Sequence, residues 1–72
     1  MTPDQCRAAR ERLNWTRDEL RKAADVPLWF IAAFEDGRET PGFLVCWEIA
    51  IETALGDELS ARARFAAYVR AG

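Results

Sequence analysis

The sequence has no histidine, a single serine (Ser60) and no Cys-x-x-Cys pair. It therefore lacks the usual ligands of a zinc site and the usual nucleophiles and bases of an enzyme. A glycine-rich phosphate loop is also missing. The paired carboxylates lie at predicted helix starts, where the helix dipole accounts for them. We expect neither an enzyme nor a bound metal or cofactor.

Long apolar runs and a basic excess are missing as well. The longest apolar run, Leu28 to Phe34, has seven residues, far below the ~20 that span a bilayer. The N-terminus is charged and does not resemble a signal peptide, so we expect a soluble cytoplasmic protein with no membrane partner. Ten basic residues against 12 acidic ones give a net charge of −2, so the total charge does not indicate a nucleic-acid partner.

The two cysteines, Cys6 and Cys46, fall on predicted apolar helix faces. Free cysteine is among the residue types most often buried in proteins. We therefore expect two buried free thiols, and a disulfide between them is the alternative.

Half of the 72 residues are apolar, which indicates one domain over residues 1–72, close to the lower size limit for a self-sufficient core. The apolar residues recur at helical spacing. This periodicity predicts an all-α bundle of four to five short helices. The predicted helices cover residues 3–13, 17–24, 27–36, about 43–55 and about 57–70.

Two capping boxes mark the first two helix starts. Thr2 with Gln5, and Thr16 with Glu19, have the spacing at which side chain and backbone satisfy each other reciprocally. Asn14, between the two helices, is a predicted left-handed stop because asparagine tolerates positive φ.

The segment from Thr16 to Gly37 reads as two short helices joined by a turn at Asp25-Val26. A helix pair with so short a turn is the unit that many DNA-binding proteins use. Gly37 is the predicted stop of the second helix of the pair. The residues predicted to face inward are Leu20, Ala23, Ala24, Ile31 and Phe34, whereas Leu28, Trp29 and Ala33 are predicted to face outward.

The C-terminal part of the chain is predicted to form two further helices. The first of them is apolar on most of its circumference, so we expect it to lie centrally in the core. Gly56-Asp57 is then a predicted break. The candidate core contacts of the last helix are Leu59, Ala63, Ala66 or Ala67, and Val69.

With these positions in view, the chain resembles the phage-repressor-like, Xre-type helix-turn-helix family over residues 10–41. The spacing agrees without gaps across about half of the chain. The resemblance implies a bundle of four or five helices. The residues that carry it are Arg10, Leu13, Trp15, Thr16, Leu20, Ala24, Val26, Ile31, Phe34, Glu35, Gly37 and Pro41.

The resemblance also implies roles for individual residues. Arg10 and Glu35 would form a structural ion pair. The third helix would enter the major groove of double-stranded DNA, with the N-terminus of the second helix on the phosphates, and the regulator would bind as a homodimer. The implied DNA-binding positions are Thr16, Arg17, Pro27, Leu28, Trp29, Ala33, Arg38 and Thr40.

The outward face of the third helix departs from the family pattern. Base readout uses polar side chains, and here the matching positions hold Leu28, Trp29 and Ala33. The alternative is a protein-interaction or dimerisation module that uses Leu28, Trp29 and Phe30, because exposed aromatic patches mark interaction sites. A third interpretation places Trp29 and Phe30 in the core.

Overall fold

The structure is a computed structural model that describes residues 1–71. It is all-α, as predicted, with no strand in that range. Gly72, the last residue of the predicted domain, lies outside the described residues. The elements are α1 (Pro3–Arg12), α2 (Arg17–Ala24), α3 (Leu28–Glu35), a 3-10 turn (Gly42–Leu44) and α4 (Val45–Ala71).

Both predicted capping boxes are confirmed. At α1, the Gln5 amide donates to Thr2 Oγ1 at 3.1 Å and the Thr2 amide donates to Gln5 Oε1 at 2.9 Å. At α2, Thr16 and Glu19 make the same exchange, with both bonds at 3.1 Å. These caps satisfy amides that have no partner within the helix and therefore fix where α1 and α2 begin.

Three residues of positive φ end the first three helices. Asn14 and Asp25 both have φ 56°, and Gly37 has φ 73°. Asn14 and Gly37 confirm the predicted stops. Asp25 is the left-handed C-cap of α2, a conformation that aspartate tolerates better than most residues. The left-handed residue allows the chain to turn sharply from α2 into α3.

The core is a cluster contributed by α1, α2, α3, the 3-10 turn and the first half of α4. Among the predicted inward residues, Leu20 and Ile31 are fully buried, while Ala24 and Phe34 pack against the cluster half-buried. Ala23 is exposed instead. Fully burying a large apolar side chain stabilises a fold by about 1.5–3 kcal/mol. The buried apolar residues are Cys6, Leu13, Leu20, Val26, Phe30, Ile31, Leu44, Ile51 and Leu55.

The predicted break at Gly56-Asp57 is wrong. One helix of 27 residues, α4, runs through both positions, so residues 1–71 contain four α-helices rather than five. Gly56 is exposed there. Glycine inside a helix costs only about 1 kcal/mol relative to alanine. The strong helix formers on either side, Ala54, Leu55, Glu58 and Leu59, outweigh that cost.

The central position predicted for the fourth helix is also wrong. Ile51 and Leu55 are fully buried, but Val45 is 52% exposed and Ile49 is 56% exposed. The helix therefore lies on the surface of the bundle and contacts it along one side.

The C-terminal third of α4 makes few of the predicted core contacts. Leu59 packs against the core, but Val69 is 58% exposed. Ala63 and Ala67 are exposed and Ala66 is half-buried. The described chain measures 47 × 19 × 18 Å, because α4 continues past the other helices.

Of the two thiols, Cys6 is buried and Cys46 is exposed, and both are free. The prediction of free thiols is thus confirmed, the disulfide alternative is wrong, and burial holds for Cys6 alone. Cys46 is exposed because it points away from the one side of α4 that the bundle covers.

Candidate nucleic-acid interface

The unit formed by α2, the turn and α3 matches the predicted helix pair. Each helix has eight residues, and α3 begins and ends one residue inside its predicted range. Pro27 is the N-cap of α3 with an extended backbone. It has no amide hydrogen to leave unpaired at the helix start. The amide of Asp25 donates to the Arg21 carbonyl at 2.9 Å, closing α2 before the turn.

A buried carboxylate at the end of α3 ties the first three helices together. The Glu35 side chain is 0% exposed, and it accepts hydrogen bonds from Arg10 Nε at 2.8 Å and Arg10 Nη2 at 3.0 Å. The third nitrogen of that guanidinium, Nη1, donates to the Trp15 carbonyl at 2.9 Å. The hydrogen bonds to Glu35 raise the pKa of Arg10. The ion pair that the resemblance implied is therefore present and joins α1 to α3.

Arg17, the implied phosphate-binding residue of α2, also contacts this carboxylate. Its Nε lies 3.2 Å from Glu35 Oε1 and its Nη2 lies 3.1 Å from Asp36 Oδ1. The Arg17 side chain is 36% exposed. The guanidinium thus stands at the surface with two carboxylates beside it, and a phosphate would have to compete with the exposed one, Asp36.

Besides the Arg17 contact, two further contacts to Glu35 were not predicted from the sequence. Arg7 Nη2 donates to the Glu35 carbonyl at 2.8 Å, and Cys6 Sγ donates to Glu35 Oε2 at 3.8 Å. Burial, and secondarily the charge of Glu35, raises the pKa of Cys6 from 9.0 to about 12. The sequence contained a signal for the Cys6 contact: Cys6 and Arg10 are four residues apart, so they share one face of α1.

This environment predicts that the two thiols differ sharply in reactivity. Near neutral pH a disulfide reagent should titrate one thiol per native chain, and the second only after denaturation, because the thiolate is the nucleophile. Cys46→Ser should abolish the fast reaction and Cys6→Ser should leave it. Since folding raises the Cys6 pKa, the stability from this thiol is complete below pH about 9 and lost toward about 12. Two rapidly reacting thiols in the native state would contradict the burial of Cys6.

The outward face of α3 is apolar. Leu28 is 44% exposed and Trp29 is 56% exposed, while Ala33 is half-buried. Trp29 packs edge-on against Trp47 of α4, with ring centroids 5.7 Å apart. Phe30 is fully buried, so its predicted place in an exposed patch is wrong. The interpretation that places both Trp29 and Phe30 in the core holds for Phe30 alone, because Trp29 is exposed.

The remaining predicted DNA-binding positions flank α3 and α2. Thr16 is exposed, and its hydroxyl is occupied as the acceptor of the α2 cap. Pro27 and Thr40 are half-buried, and Arg38 is exposed. The Arg38 amide donates to the Ala33 carbonyl at 2.9 Å. This bond fixes the start of the segment after α3 and keeps Arg38 at the end of that helix.

Other kinds of site find no support among residues 1–71. No group of three or more possible metal ligands occurs there, and no cavity opens in that part of the chain. No helix formed by the described residues is both long and apolar enough to cross a membrane. Every buried side-chain nitrogen and oxygen that the structure describes has a hydrogen-bond partner.

Comparison with known proteins adds no assignment. No family model matches the chain, and no curated protein or solved structure matches it either.

Proposed function

We propose that this protein is a small helix-turn-helix transcriptional regulator of the Xre type, which binds double-stranded DNA with α3 in the major groove. The observation that carries the proposal is the Glu35 network. It ties the first residue of α2 to the last residue of α3 and so holds the two helices at one mutual angle. Separately, Leu28 and Trp29 of α3 remain exposed. A preset angle is what a two-helix DNA reader needs, because one helix enters the groove while the other contacts the backbone.

In this arrangement Arg17 and Arg38 supply the positive charge. Arg17 lies in the first turn of α2, whose free amides attract phosphate, and Arg38 follows α3. The apolar α3 face offers contact with thymine methyl groups through Leu28 and Ala33 and one N–H donor from Trp29. Binding by such a surface depends mainly on the phosphate backbone, so sequence discrimination is modest.

Fluorescence anisotropy of a random duplex, with salt stepped from about 50 to 200 mM, tests this proposal. If Arg17 and Arg38 from two chains neutralise four phosphates, affinity should fall roughly 100-fold over that range. Arg17→Ala should weaken binding to all sequences and flatten the salt slope by about one unit per chain. Lys22→Ala is the matched control, because Lys22 lies on the same helix and pairs with Asp18 instead.

Absence of binding at low salt by a folded protein would overturn the regulator proposal. A salt slope reduced equally by Lys22→Ala would show that the contact is diffuse rather than centred on Arg17. Because Arg17 also pairs with Glu35, each variant should first be shown to keep the native circular dichroism spectrum.

The second candidate is a protein-interaction module on the same frame. The exposed fractions of Leu28 and Trp29 favour it, since tryptophan is enriched at interface hot spots. If the chain stays folded but does not bind DNA at low salt, a protein-interaction module is the better interpretation of the α3 surface.

A further inference from the structure

The first half of α4 and the 3-10 turn before it expose apolar side chains on the side that faces away from the core. Phe43 is 81% exposed, Ile49 is 56% exposed and Val45 is 52% exposed, and Cys46 is exposed beside them. We call these four residues the α4 patch. Its exposed area is on the order of 300 Å², to which the aromatic ring contributes about half. An exposed apolar patch of this size is often functional.

The α4 patch lies on the side of the helix that the bundle does not cover. Val45 and Ile49 are four residues apart, and Cys46 and Ile49 are three apart, spacings that place side chains next to each other on a helix. Ile51, two residues after Ile49 and therefore on the opposite side, is fully buried. The patch is thus separate from the side of α4 that packs on the core.

The chain around the α4 patch carries negative charge alone. No lysine or arginine lies between Arg38 and Arg62, a stretch that includes the whole patch. Within it, Glu52 is paired with the N-terminal ammonium at 2.7 Å, and Glu58 is paired with Arg62. The other acidic residues form no ion pair in the part of the chain that the structure describes. They are Glu39, Glu48 and Asp57.

We propose that the α4 patch is the docking site for a helix of another protein, apolar on one side and lined with lysine or arginine. The apolar side chains of this helix pack on Val45 and Ile49. Its basic side chains face Glu48, three residues after Val45, and Asp57, about two turns beyond Ile49. Opposite charges at the edge of an apolar seam select the partner and its orientation.

A helix is the occupant that this surface fits. The backbone groups of α4 are bonded within the helix, so the patch offers side chains and no free backbone to which a strand could add. Helices associate by setting the side-chain rows of one into the grooves of the other. No cavity opens among residues 1–71 that would receive a small molecule.

Fluorescence anisotropy of the full chain with a designed peptide tests the proposal. The probe is a labelled peptide of about 20 residues, long enough to be helical, with leucine at helical spacing on one side, lysine beside it and alanine elsewhere. Its counterpart carries glutamate in place of lysine. The lysine peptide should bind at least about tenfold more tightly, because like charges suppress the wrong partner. Equal binding of the two peptides, or no binding of the lysine peptide at millimolar protein, would overturn the proposal.

Ile49→Ser is the decisive variant, and Val69→Ser is its matched control. The two residues lie on the same helix and are 56% and 58% exposed, so both substitutions remove a similar exposed aliphatic side chain. Ile49→Ser should weaken binding of the lysine peptide at least about tenfold, as at an interface hot spot, and Val69→Ser should leave it unchanged. An equal loss in both variants would show non-specific contact and overturn the proposal.

Asp57→Lys tests the charge argument separately. It should weaken binding of the lysine peptide and tighten binding of the glutamate peptide, because the sign of the charge at the edge of the patch is reversed. A change in the same direction for both peptides would contradict charge complementarity.

Two other occupants are outcomes of the same set of variants. If sedimentation without peptide shows that Ile49→Ser dissociates an oligomer, a second copy of the chain covers the patch and the proposal is overturned. If Trp29→Ala abolishes peptide binding and Ile49→Ser does not, the peptide occupies the α3 surface instead. DNA binding is measured independently, so loss of either activity leaves the other standing.

Discussion

Arg10→Met is expected to destabilise the protein by about 3–5 kcal/mol, because it leaves a buried carboxylate without its main partner. Arg10 donates two hydrogen bonds to Glu35, whose side chain is 0% exposed. The remaining charged partner, Arg17, is farther away at 3.2 Å and is 36% exposed. A 72-residue domain has a total stability of roughly 4–11 kcal/mol, so the variant should be close to unfolding. Urea denaturation at one fixed protein concentration measures the loss.

Arg62→Met is the matched control for this prediction. Arg62 also forms an ion pair, with Glu58 at 3.1 Å, but the two side chains are 47% and 38% exposed. An exposed pair of this kind is worth about 0–1 kcal/mol. The double variant Arg10→Met with Glu35→Leu should recover much of the stability, since no buried charge remains. A loss below ~1 kcal/mol for Arg10→Met alone would show that Glu35 is hydrated in solution.

Local sequence signals predicted the first half of the fold well. The two capping boxes, the left-handed Asn14 and the stop at Gly37 each depend on a few neighbouring residues. Such signals act through short-range hydrogen bonds and backbone sterics, so they can be read without knowledge of the fold.

The predictions for the second half of the fold were wrong because contacts between distant residues decide its structure. Gly56-Asp57 has the composition of a break, but a glycine costs a helix so little that neighbouring residues decide whether the helix continues. Likewise, apolar residues around most of α4 do not reveal which of them the bundle covers. Val45 and Ile49 look as apolar as Ile51, yet only Ile51 is buried.

In the candidate site, too, some contacts could be predicted from the sequence and others depend on long-range packing. The Arg10–Glu35 pair was implied by the resemblance and is present. The additional contact from Arg17 was not foreseen, because Arg17 and Glu35 are 18 residues apart and meet only through the packing of α2 against α3. Phe30 and Trp29 are adjacent in sequence and both rings contact Trp47, yet only Phe30 lies in the core cluster, while Trp29 is 56% exposed.

Substitutions at Gly56 should report directly on the continuity of α4. In an uninterrupted helix, proline at this position removes one intrahelical hydrogen bond and clashes with the carbonyl four residues earlier, at a cost of about 3 kcal/mol or more. We therefore expect Gly56→Pro to lose ellipticity at the helical minimum, because a detached segment of some 15 residues is only marginally helical. If the chain turned at this point, proline would instead be tolerated in the first turn of a new helix.

Gly56→Ala should change the stability of α4 in the opposite direction from Gly56→Pro. Beyond the two neighbouring residues and the adjacent backbone of α4, a methyl group at Gly56 would meet no atom of the described chain within 4 Å, so alanine should stabilise α4 by roughly 0.5–1 kcal/mol through its higher helix propensity. Destabilisation by alanine would indicate a left-handed stop and contradict a continuous helix.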